Sequence, residues 1–225
     1  SNFTGSAGLA VILRKSNYLF VDGRYTIQAQ LQSGKLFKII EIHKFLPHKI
    51  LKNLTLGFDP SLLTGKQLYS YFGKSLILKQ INKNLIDEIY KKKNTKTKKF
   101  FSLQSKIAGE NFKSKINKIR SILKLNKADY LFISAPENVA WTLNIRGSDN
   151  PNSPIPNCRL IIGKNKAVFL ITQIEKASKI IKDGKLSKKQ IINPKKFQDL
   201  IKKLKGKKFI IDSLSCSVLN EKIIK

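Results

Sequence analysis

The chain has 225 residues, 41% of them hydrophobic, and its 44 Lys and Arg against 14 Asp and Glu give a formal charge of +30 at pH 7. That is enough chain and enough apolar content for two small domains with buried cores. No run approaches the roughly 20 apolar residues that cross a bilayer and the N-terminus carries no basic segment followed by an apolar stretch and a cleavage site, so a soluble, cytoplasmic protein without membrane contact is expected.

In chain order, Leu9 to Leu13 and Tyr18 to Val21 are apolar runs separated by the polar turn Arg14-Lys15-Ser16-Asn17, which predicts a β-hairpin. A helix over 24–32 and a strand over 36–42 follow, then a helix over 44–53 in spite of Pro47, a strand over 54–58, a helix over 60–71 opened by Pro60, and a strand over 75–79. Alternating strands and helices indicate an α/β layer fold. Residues 91–99 read Lys-Lys-Lys-Asn-Thr-Lys-Thr-Lys-Lys and make the best linker in the chain, dividing it near residue 100. Beyond it, Phe112, Ile116, Ile119, Ile122 and Leu123 recur at helical spacing. A strand over 130–134, a helix from Pro136 to Leu143, a hairpin of 158–162 with 167–171, and a helix over 174–182 come next. A strand at 191–192, a helix over 194–204 and a strand over 207–211 complete the pattern.

The charge invites a nucleic-acid reading, because basic side chains neutralise phosphates. Only Arg14, Arg24, Arg120, Arg146 and Arg159 are arginine, however, and the lysines are spread through both halves among Ile and Asn. Solvated helix faces account for them, and no specific nucleic-acid partner is expected. Cys158 and Cys216 stand far apart without a CxxC spacing, as ordinary reduced thiols do. With no methionine in it, and with 220–225 reading as a helix stopped in mid-course, the chain is expected to be part of a longer one.

Chemistry-bearing motifs are few. Gly5-Ser6-Ala7-Gly8 precedes a strand, whereas a phosphate-binding loop follows one; small residues here are expected to permit positive φ and close packing. His43 and His48 are five apart, off any shared helical face, and neither reads as a metal ligand. No GxSxG elbow is present and the acidic residues form no ligand set, so no catalytic and no metal-binding residue is assigned. Asp22-Gly23-Arg24-Tyr25 lies where a strand ends and a helix begins. Arg24 there either forks onto a peptide carboxylate or carbonyl, or pairs with Asp22. Trp141 through Asp149 leaves a helix for a Pro-rich loop, and Asn144, Arg146 and Asp149 read as supports of that loop.

These blocks resemble a known family. Asn2 through Gly8, Val21-Asp22-Gly23-Arg24-Tyr25 with Gln28-Ala29, Gly57-Phe58-Asp59-Pro60, 85–90, and Glu137 through Trp141 with Arg146-Gly147-Ser148-Asp149, Asn152 and Pro154 are similar, in order, to landmarks of three-domain aminopeptidase P. The resemblance implies two creatinase N-terminal-type domains, 1–99 and 100–225, each a mixed β-sheet with flanking helices, the first lacking its opening strands. It implies that the pita-bread catalytic domain, where two Asp, one His and two Glu hold two divalent ions, usually manganese, lies outside this chain. The implied function is the non-catalytic front of an Xaa-Pro aminopeptidase, inactive alone, acting on proline-containing peptides and forming a homodimer. It also tips Arg24 towards substrate binding, in its own subunit or across an interface. The alternative is a peptide- or protein-binding module that has dispensed with catalysis.

Overall fold

A computed structural model describes residues 1–73, 76–81, 83–90, 98–150 and 152–225. Two compact units emerge, Ser1–Asp59 with Gly65–Asn82, and Pro60–Thr64 with Lys83–Lys225. Both mix strands and helices, and among the described residues no helix is long and apolar enough to cross a membrane.

In the first unit β1 (Gly8–Ile12) and β2 (Asn17–Val21) pair antiparallel, and the Leu13 amide closes their turn on the Ser16 carbonyl at 3.0 Å. β3 (Lys38–Glu41) runs parallel to β2. A parallel neighbour requires a crossover, supplied by a 3-10 turn, Gly23–Tyr25, leading into α1 (Thr26–Ser33). β2 is central, and Leu19, Phe20 and Val21 are buried. Leu19 and Val21 meet Ala29 of α1, with Phe3, Tyr25, Phe37 and Ile39 packed around them. Next come α2 (Pro47–Ile50) and the parallel pair β4 (Thr55–Phe58) and β5 (Ile77–Gln80), with α3 (Gly65–Phe72) between them.

Two helices of this unit are shorter than their sequence suggests. The 44–53 helix contracts to Pro47–Ile50, because a residue before proline is pushed out of helical space and Leu46 adopts ψ 149. Lys44 and Phe45 instead close a turn on the Glu41 carbonyl. The 60–71 helix starts at Gly65. Residues 60–64 belong to the other unit, where the Pro60 and Leu63 carbonyls accept from Leu219 and Val218, an arrangement no helix continuing from Pro60 would leave available. Of the predicted strand over 75–79, Ser75 falls outside the described residues, and so does 91–97 of the predicted linker.

The second unit contains, in order, α4 (Leu85–Ile89), β6 (Phe101–Ser102), α5 (Ser105–Ala108), α6 (Phe112–Leu125), β7 (Tyr130–Ile133), α7 (Pro136–Leu143) and β8 (Ile145–Arg146). β9 (Arg159–Gly163), β10 (Val168–Ile171), α8 (Ile174–Lys182), β11 (Ile191–Ile192), α9 (Phe197–Lys203), β12 (Phe209–Ile211) and α10 (Val218–Ile224) complete it. The sheet order is β11-β10-β9-β7-β12; β9 is antiparallel to both neighbours and the other strands share one direction. β9 is covered on both faces, since Leu160, Ile161 and Ile162 are all inaccessible. Leu160 and Ile162 pack with Ile116, Leu143 and Ile180, whereas Ile161 packs with Phe132, Phe197 and Ile201. Alternate residues of a strand point to opposite faces, so helices α6, α7 and α8 cover one side and α9 and α10 the other. Ile122 departs from the expected α6 stripe and is exposed. The predicted 194–204 helix begins as a 3-10 turn, Pro194–Lys196, before α9.

Candidate functional site

The Asp-Gly-Arg-Tyr motif forms the corner where β2 passes into α1. Asp22 caps the 3-10 turn: its Oδ1 accepts from the Arg24 amide at 3.0 Å and from Arg24 Nε at 2.8 Å, and its Oδ2 accepts from Arg24 Nη2 at 3.4 Å. His43 Nε2 stands 3.7 Å from the same Oδ2. The Arg24 side chain, followed by the Arg24 amide, holds the Asp22 carboxyl down to about 2. The guanidinium lies 5.6 Å from the Tyr25 ring centroid, yet the side chain is 75% exposed, and Nη1 makes no hydrogen bond among the described residues. Pairing with Asp22 and reaching a ligand are therefore compatible roles, since one edge of the fork is anchored and the other faces solvent.

The N-terminal segment braces this corner, which brings together two motifs that lie some twenty residues apart in sequence. The Tyr25 hydroxyl is 2.7 Å from Ser6 Oγ, and Phe3 meets the Tyr25 ring edge-on, with centroids 5.9 Å apart. Thr4 donates its amide to Gln32 Oε1 at 2.9 Å and accepts from Gln28 Nε2 at 2.9 Å. The Phe3 ring lies across Gly5, where a Cβ would fall 2.2 Å from it. Close approach is thus the reason for glycine. The expected positive φ is not found: neither Gly5 nor Gly8 has it, and Asn2, at φ 59, does.

The second motif builds a buried node. Asn144 ends α7 in the left-handed conformation, φ 49 and ψ 51. Its Oδ1 accepts from Lys115 Nζ at 2.7 Å and its Nδ2 donates to the Glu110 carbonyl at 2.7 Å. Lys115 also donates to the Trp141 carbonyl at 2.9 Å and sits 4.0 Å from the Trp141 ring centroid. Lys185 donates to the Leu143 and Asn144 carbonyls at 2.9 and 3.0 Å. The last carbonyls of a helix lack partners within it and carry partial negative charge, so two ammonium groups satisfy both needs. Burial pushes both lysines down in pKa. Arg146 donates to the Ile145 carbonyl at 2.9 Å, and Asp149 accepts from Lys176 Nζ at 2.6 Å and from the Asn157 amide at 2.7 Å. Asn144, Arg146 and Asp149 are loop supports. Their partners Lys115, Lys176 and Lys185 were invisible in sequence, because nothing separates three structural lysines from the solvated majority.

Both cysteines are free and buried; burial pushes Cys158 up to about 12 and Cys216 up to about 11, so neither presents a thiolate at neutral pH. His48 lies beside the Tyr71 carbonyl, apart from His43. Among the described residues no group of three or more His, Cys, Asp or Glu is arranged to hold a metal ion.

Two family models, each described as the creatinase/prolidase N-terminal domain, match residues 1–86 and 91–225. The chain belongs to the creatinase/prolidase N-terminal domain family. Among curated relatives, Aminopeptidase P1 of Lotus japonicus is 31% identical over 193 residues, covering 81% of this chain and 29% of that protein. Xaa-Pro aminopeptidase ApepP of Drosophila melanogaster is 30% identical over 185 residues, covering 76% and 30%. The chain thus spans about a third of the length of the relatives it matches. A solved structure, the X-prolyl aminopeptidase of Caenorhabditis elegans, described as a cytosolic enzyme with a di-nuclear active site, superposes with a TM-score of 0.82 at 23% identity, over 100% of this chain and 40% of that one. At that identity the likeness establishes the creatinase-type fold.

Proposed function

We propose that this chain is the substrate-shaping, non-catalytic front of a cytoplasmic Xaa-Pro aminopeptidase, with Arg24 as the residue that contacts the peptide. The observation that carries the reading is the half-anchored guanidinium: Asp22 fixes one edge, Tyr25 and Phe3 back the corner, and Nη1 on the other edge makes no hydrogen bond among the described residues. An arginine fixed in this way loses little freedom on binding and takes a carboxylate or carbonyl in a defined orientation. It would close the far side of a pocket, favouring short peptides with proline in second position. Hydrolysis would belong to a catalytic domain outside this chain, where a pair of divalent ions, manganese by family preference, activates water. We place the division between the two creatinase-type domains near residue 100 and read the complete protein as a homodimer.

The test is Arg24→Ala in the complete protein, with Xaa-Pro peptides as substrates. Loss of one edge of a charged fork is expected to lower kcat/KM about ten- to a hundredfold. Unchanged efficiency would remove Arg24 from the site. Peptide binding without hydrolysis by the complete protein would favour the non-catalytic module instead.

A further inference from the structure

The turn that carries Arg24 runs on into α1, because Thr26, which ends the turn, already has helical angles, φ −59 and ψ −48. The buried positions of α1 are Ala29 and Ser33. Residues three and four apart share a helix face, so Arg24, Ile27 and Leu31 form one row on the side away from those two. Ile27 is 77% and Leu31 83% exposed.

Single apolar side chains scattered over a surface are ordinary. This row differs in two respects. From Thr26 to Ser33 its helix has no charged residue, in a chain in which 26% of residues are charged. The exposed positions of other helices are lysine-rich, with Lys118 and Lys124 on α6, Lys179 and Lys182 on α8, and Lys202 and Lys203 on α9. The row also begins at a guanidinium anchored to Asp22 through Nε and Nη2, whose Nη1 makes no hydrogen bond among the described residues. A charged group and an aliphatic strip thus stand side by side on one rigid element.

A second copy of the chain does not fit this strip. Two aliphatic side chains on a helix about 12 Å long fall well short of the roughly 800 Å² per partner that a stable dimer buries. A short peptide does fit. Successive helical turns are about 5 Å apart, which is within the reach of a large side chain from the carboxylate of its own residue. With that carboxylate on Arg24, the side chain falls on Ile27 and its far end points towards Leu31. Charge and apolar surface are then complementary in the same order on both partners.

Resting on the reading of Arg24 as the peptide contact, we propose that Ile27 and Leu31 select a large apolar side chain on the peptide residue that Arg24 holds, the one following proline.

The test compares Ala-Pro-Leu with Ala-Pro-Gly as substrates of the complete protein. The two tripeptides offer Arg24 the same carboxylate and differ only in the last side chain. The parent is expected to favour Ala-Pro-Leu about fivefold in kcat/KM. Ile27→Ser should cut that preference to about twofold or less and Leu31→Ser should cut it by a smaller factor, each leaving Ala-Pro-Gly unchanged. Leu125→Ser, at the exposed end of α6, should alter neither substrate. Should the complete protein bind without hydrolysing, the ratio of Kd values is read in place of kcat/KM. Arg24→Ala separates this inference from the reading beneath it, because it lowers both substrates together and leaves their ratio. If Arg24→Ala does so while Ile27→Ser keeps the parent's preference, the strip is overturned and Arg24 stands. If Arg24→Ala changes nothing while Ile27→Ser abolishes the preference, the strip stands and Arg24 is removed from the site. A parent that shows no preference, or an Ile27→Ser protein that alters only its sedimentation, would overturn the proposal, the latter by making the strip an interface between copies.

Discussion

The Arg24 corner of the first unit and the Asn144 node of the second are both built from charged and amide side chains around a helix end, yet they dispose of charge in opposite ways. At the corner, Arg24 is 75% exposed and half committed, and the polar contacts of Thr4, Gln28 and Gln32 lie at the surface. At the node, Lys115 and Asn144 are buried and each polar group has a designated partner. A cation out of water is costly unless fully hydrogen-bonded, which leaves Lys115 no capacity for a ligand. A cation kept in water costs little and retains one. The contrast separates the residue worth testing for substrate from those that hold the fold.

The contrast breaks most visibly at the node. Asn144→Ala leaves the Lys115 ammonium and the Glu110 carbonyl each short of a partner, and it places alanine at φ 49. A loss of about 3 kcal/mol in urea unfolding is expected; a loss below about 1 kcal/mol would mean that water replaces the amide and the node is not the closed structure described.

Gly5→Ala should be intermediate. Its methyl displaces the Phe3 ring, and losing the edge-on contact with Tyr25 is expected to cost about 1 kcal/mol, read from the same unfolding experiment and from the Tyr25 ring resonances. An unshifted Tyr25 would show that Phe3 does not brace the corner.

The smallest effect sharpens the other side. The Asp22 carboxyl, held to about 2 against an ordinary 3.8, favours the folded state above the ordinary value, and that contribution disappears as pH falls through the lowered one. Because the pair is exposed, the stability change is small; the carboxyl 13C titration measures it directly. In Arg24→Ala the midpoint should return towards 3.8 while the unfolding midpoint stays where it was. A midpoint that remains near 2 would transfer the effect from the Arg24 side chain to the backbone amide of residue 24.

Much of the fold was legible because it is set by local pattern. Apolar runs separated by polar turns located β1, β2, β9 and β10, and the 3.6-residue recurrence of Phe112, Ile116 and Leu123 located α6. Proline was the less reliable signal: Pro136 opens α7 as expected, whereas Pro60 does not open α3, because the Pro60 and Leu63 carbonyls are taken by α10. Sequence alone determined the two α/β segments, the family resemblance and the interest of Arg24. Only tertiary structure set Phe3 against Tyr25 and placed Lys115 and Lys185 on the end of α7. Periodicity records which face of an element is buried; it carries no information about which distant side chain arrives there, and among so many lysines composition cannot single out the few that are buried.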